Sequence, residues 1–133
     1  MAASALVSLV ESALILGALL KPVLSYSPAN LLFSLLRLAI SAHAGASSGP
    51  KFSSSFAAGA LASFSGALAL CLAALASSVF GWGPVLGVNT PDQASFVILL
   101  ALILVENSVL GGAVGATGGY AARRGRQGAQ RKK

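Results

Sequence analysis

The sequence predicts an all-α fold, an integral membrane bundle of four transmembrane helices arranged as two hairpins. Three observations lead there. Hydrophobic residues make up 56% of the 133 and charged residues only 9%, against about 25% charged in an ordinary soluble domain. Nine cations and three carboxylates cannot clothe a water-soluble globule of this length. The mean hydropathy of +0.82 excludes a disordered chain for most of the length. Finally, the apolar residues fall into four long runs, each near the roughly 20 residues that cross a hydrocarbon core. The runs do not alternate as the strands of a transmembrane barrel would.

The first run covers residues 2–20 and stops at Lys21-Pro22, where proline and its predecessor disfavour helix. It has no basic leader and carries Glu11 at its centre, so a cleaved signal peptide is not expected. The second run, 29–46, closes in Gly45-Ala46-Ser47-Ser48-Gly49-Pro50. Because it is short, the alternative is three spans plus one interfacial helix. Its narrow polar stripe and lack of lysines argue for a span. The third run, 56–80, ends at Gly81-Trp82-Gly83-Pro84, and residues 85–93 read as a loop. The fourth run, 94–122, turns glycine-rich and gives way to a polar tail at 123–133. Residues 1–122 thus form one transmembrane domain.

Basic residues set the orientation. Lys51 and the tail residues Arg123, Arg124, Arg126, Arg131, Lys132 and Lys133 fall on one side of a four-span chain. The opposite loops carry only Lys21 and Asp92. Both termini are therefore expected on the cytoplasmic side. Trp82, Phe80 and Tyr120 stand near span ends and Tyr26 lies in the first loop, as interfacial anchors do. The basic tail is expected to be mobile and to contact anionic lipid, each cation contributing about 1 kcal/mol. It lacks aromatics for stacking on bases, so nucleic acid is not an expected partner.

Glu11, Arg37 and Glu106 each lie near the middle of an apolar run. A charge at that depth costs about 2.5–3.5 kcal/mol on insertion scales, so such residues turn inward and pair. Ser4, Ser8, Glu11 and Ser12 form one helical stripe, and Asn30, Ser34, Arg37 and Ser41 form another. The expected arrangement sets these seams together, with Arg37 bridging Glu11 or Glu106. Two readings follow: polar glue that fixes helix register, or a proton or ion relay. Leu9-Val10-Glu11 and Leu104-Val105-Glu106 also match, as the halves of an inverted repeat would.

Gly111, Gly115 and Gly119 repeat at a spacing of four, as do Ser55, Gly59, Ser63 and Ala67. Small residues let helix backbones approach, within one chain or between subunits. Asn107 shares the face of Gly111 and could hydrogen-bond across it. His43 stands apart from other metal ligands, and Cys71 reads as an apolar filler. No nucleophile, metal set or phosphate loop is present, so no enzyme, cofactor or metal is expected. The expected function is a small non-enzymatic accessory or structural subunit, packed into a homo-oligomer or a larger membrane complex. The alternative is a pore or transport component, holin-like in size and charge, using the Glu/Arg cluster.

Overall fold

A computed structural model describes residues 2–25, 27–49, 51–82, 85–87 and 92–130. Among the described residues four helices form, α1 (Ala2–Leu16), α2 (Pro28–Ser47), α3 (Phe52–Phe80) and α4 (Gln93–Gln130), with a 3₁₀ turn at Val23–Ser25. No strand occurs among the described residues.

α1 stops one turn before the expected end of the first span. Its 15 residues reach roughly 22 Å, short of a hydrocarbon core of about 30 Å. The break is local. Gly17 is followed by Ala18 at φ 58°, a left-handed conformation that a helix interior does not tolerate. The amides of Leu19 and Leu20 then fold back onto the Leu14 carbonyl at 2.9 and 3.1 Å.

The second run, by contrast, makes a full helix of 20 residues. Ser27 caps it by accepting the Asn30 amide at 3.2 Å, and Pro28 sits in the first turn, where its missing N–H costs nothing. α3 starts before the expected residue 56 because the serines ahead of it join the helix. Ser54 donates its hydroxyl to the Lys51 carbonyl at 2.8 Å. Gly81 ends α3 at φ 68°, the conformation glycine supplies best.

α4 runs eight residues beyond the expected 122. The segment Ala121-Ala122-Arg123-Arg124 consists of strong helix formers, so the tail through Gln130 continues the helix rather than leaving it. Residues 131–133 lie outside the described part, as does Tyr26. Three helices are long and apolar enough to cross a membrane: Pro28–Ser47, Phe52–Phe80 and Gln93–Gly125.

α2 and α3 form a central pair, with α1 packed on both of them and α4 packed on both. The interior is polar or small, and the exterior is aliphatic. Ser4, Ser8, Glu11, Ser41 and Ser55 are fully enclosed, while Leu6, Leu31, Leu72, Leu102 and Val105 are exposed. An apolar cluster of Ile15, Leu70, Ala74, Val85 and Leu86 closes one end. There the amides of Val23 and Leu24 bond the carbonyls of Val85 and Leu86 at 3.0 and 3.2 Å, tying the two loops together.

Candidate functional site

α1 presents Ser4, Ser8, Glu11 and Ser12 to the interior, all four buried. They share a face because residues three and four apart stack along a helix. α2 meets this face with Ser34, Arg37 and Ser41. The Nη1 of Arg37 forms an ion pair with Glu11 Oε2 and also donates to Ser8 Oγ at 3.3 Å. Its Nη2 donates to Ser34 Oγ at 3.2 Å. Ser12 donates to the Ser8 carbonyl at 2.8 Å. Ser41 bonds the Arg37 carbonyl at 3.1 Å and shares a 2.8 Å hydroxyl contact with Ser63 of α3. A polar ladder therefore runs from α1 through α2 to α3.

Glu11 is 0% exposed and the Arg37 side chain only 11%. Such a pair survives burial because each charge has its opposite and further hydrogen bonds beside it. Satisfaction is incomplete, however. Glu11 Oε1 and Ser4 Oγ are buried without hydrogen-bond partners. Gly66 of α3 makes room for this face. A Cβ there would come within 3.2 Å of Ser8 Oγ and closer still to Ser4 Oγ. Among the described residues, no three His, Cys, Asp or Glu side chains come together as metal ligands.

Glu106 is the correction to the expected cluster. It is exposed on α4 and takes no part in the contacts of Arg37, which go to Glu11, Ser8 and Ser34. Gly115 lies about two and a half turns from Glu106, hence on the opposite face of α4. Once the glycine face turns inward, Glu106 must turn outward. The matching Leu-Val-Glu segments therefore occupy opposite environments, one buried and one exposed. Asn30 also departs from the seam. Its Nδ2 donates to the Pro22 carbonyl at 2.8 Å and the Lys21 carbonyl at 3.1 Å, pinning the loop before α2. Asn107 bonds the Ile103 carbonyl of its own helix at 2.8 Å instead of reaching across.

The small residues lie inside the chain. Gly111, Gly115 and Gly119 face Ser63, Gly59 and Ser55 of α3, and Gly115 also abuts Gly45 of α2. A Cβ on Gly115 would lie 2.6 Å from the Ser55 carbonyl oxygen and 2.7 Å from Gly59 Cα. Gly45 and Gly66 escaped the sequence reading. Gly45 looks like part of a loop signal, and Gly66 stands in an Ala58, Ala62, Gly66 row of small residues next to the Ser55, Gly59, Ser63 and Ala67 stripe. Cys71 is buried against α4, its Sγ 3.7 Å from the Leu100 carbonyl oxygen. In the basic segment, Arg123 Nε donates to the Gly119 carbonyl at 3.1 Å, and Arg124 is exposed. The Arg126 side chain and Arg131, Lys132 and Lys133 lie outside the described residues.

The chain matches no protein-family model, no curated protein and no solved structure. Its geometry alone carries the functional reading.

Proposed function

We propose that this is a non-enzymatic, polytopic integral membrane protein that serves as an accessory or structural subunit of a membrane assembly. The Glu11–Arg37 pair acts in it as an internal clasp. The observation that carries this reading is the enclosure of that pair. Glu11 is wholly buried, Arg37 nearly so, and serines of both helices complete the cage. A charged pair walled in by its own bundle holds helices in register. α1 needs such a clasp because its other buried side chains are three serines and Ile15. Serines contribute little apolar area, and lipid gives helices no hydrophobic reason to associate. The exposed Lys51 and Arg124, with the half-buried Arg123 beside them, favour placing that end of the bundle at the cytoplasmic face, against anionic lipid.

A second reading draws on a specific observation. The unpartnered Glu11 Oε1 has a spare acceptor in a polar interior, as a proton relay requires. One experiment separates the two. Wild-type chain and the double variant Glu11→Gln with Arg37→Gln are reconstituted in proteoliposomes carrying a pH-sensitive dye inside. The clasp reading predicts equal, low proton flux from both, with the variant less heat-stable. A flux present in the wild type and lost in the variant would replace the subunit reading with transport.

A further inference from the structure

We propose that the Glu106 face of α4 is a docking surface for a second membrane-spanning helix that carries a lysine or arginine at mid-span. The proposal rests on the membrane reading above and names the chemistry of the partner. Glu106 is exposed and has no hydrogen bond or ion pair to any described residue. It stands about 13 residues, roughly 20 Å, into α4, amid Leu102, Val105, Val109 and Leu110, all at least half exposed. Every other exposed charge among the described residues sits toward an end of the bundle: Lys21, Lys51, Asp92 and Arg124. Among the described residues, Glu106 is thus the only exposed Asp, Glu, Lys or Arg near the middle of a candidate span, where a bilayer would supply nothing but hydrocarbon. An acid so placed is costly unless a partner meets it.

Charge decides which partner fits. A second copy of this chain offers no cation at that depth, because Arg37 is enclosed with Glu11. Two copies joined symmetrically through this face would set Glu106 against Glu106, like against like. A helix of another chain with a mid-span base supplies the opposite charge. Small positions follow the acid along the same side, since Ala113 and Thr117, seven and eleven residues on, are exposed. They allow an incoming helix to approach closely. The glycine face is unavailable for this role because α2 and α3 already fill it.

The test uses the full chain in phosphatidylcholine vesicles and a synthetic Leu/Ala helix with one central lysine. A second helix, with leucine in that position, is the control. Association is read by energy transfer between labels. The wild type and Glu106→Asp are expected to bind the lysine helix about tenfold more tightly than the leucine helix. Glu106→Gln, which folds alike because its side chain is exposed, is expected to show no preference. Equal binding of both helices by reconstituted wild type would overturn the proposal alone, as would a preference retained in Glu106→Gln. Self-association that depends on Glu106 would also overturn it, giving the face to a second copy. Failure of the wild type to enter vesicles at all would overturn the membrane reading and this proposal with it.

Discussion

Gly115 stands where α2, α3 and α4 converge, and its missing side chain is what allows them to meet. A Cβ would press on the Ser55 carbonyl oxygen and Gly59 Cα, which are backbone atoms that cannot rotate away. Gly115→Leu is therefore expected to cost at least roughly 1–3 kcal/mol, the range for overpacking. Leu102→Ala, on an exposed side chain, should stay within about 0.5 kcal/mol. Unfolding in mixed micelles checks the pair, and similar losses from both would remove the close-packed interface. At the clasp the asymmetry is chemical. Removing one partner of a buried pair costs about 3–5 kcal/mol. A stranded carboxylate can take up a proton, whereas a stranded guanidinium keeps its own. Glu11→Leu should therefore destabilise more than Arg37→Leu, and the double change should recover part of the loss. The reverse order in the same unfolding assay would argue against a sealed pair.

Helix ends show what can be read from sequence and what cannot. The α3 end was legible from Gly81, because a left-handed glycine acts within one turn, whereas the expected α2 start at 29 misses its Ser27 cap and Pro28. The stripes of Ser4, Ser8, Glu11 and Ser12 and of Ser34, Arg37 and Ser41 were legible too, since helical spacing alone puts them on one face. The early end of α1 was not, because an alanine at φ 58° leaves no mark in composition. The outward turn of Glu106 could have been found. It follows from its half-turn offset to Gly115, but only after the glycine face is known to pack inward. The start of α4 offers a test at this scale. Asp92 accepts the Ser95 amide at 2.7 Å and its hydroxyl at 3.1 Å, capping the helix. The Ser95 backbone amide, then its hydroxyl, holds the Asp92 carboxyl below the usual carboxylate range. The cap is thus complete above that range and is lost as pH falls through the lower folded value. Asp92→Ala should speed amide exchange at residues 93–96 at neutral pH, and acid should remove the difference between variant and wild type. Unchanged exchange would leave α4 without its cap.

The molecule as a whole is a helical bundle with three helices long and apolar enough to cross a membrane. Serine, glycine, alanine and one ion pair fill most of the interior, an apolar cluster closes one end, and leucine, valine and phenylalanine cover the outside. α3, at 29 residues, is roughly 43 Å long, close to the full thickness of a bilayer with its headgroup regions, about 40–45 Å. Phe80 and Trp82 stack at one end with ring centroids 5.0 Å apart, and Tyr120 lies at the C-terminal end of the α4 span, exposed. The excess of cations at the Lys51 end predicts the orientation. A label applied from outside intact cells should miss Ser53→Cys and reach Gln93→Cys, and the opposite pattern would invert the chain. Whether the exposed aliphatic surface of the bundle faces hydrocarbon is measured by nitroxide accessibility in proteoliposomes. With Cys71→Ala as background, labels at Leu102→Cys and Ser53→Cys are compared by collision with membrane-dissolved oxygen and with a water-soluble nickel chelate. Oxygen is expected to dominate at position 102 and the chelate at position 53. Free access of the chelate to position 102 would contradict the membrane reading.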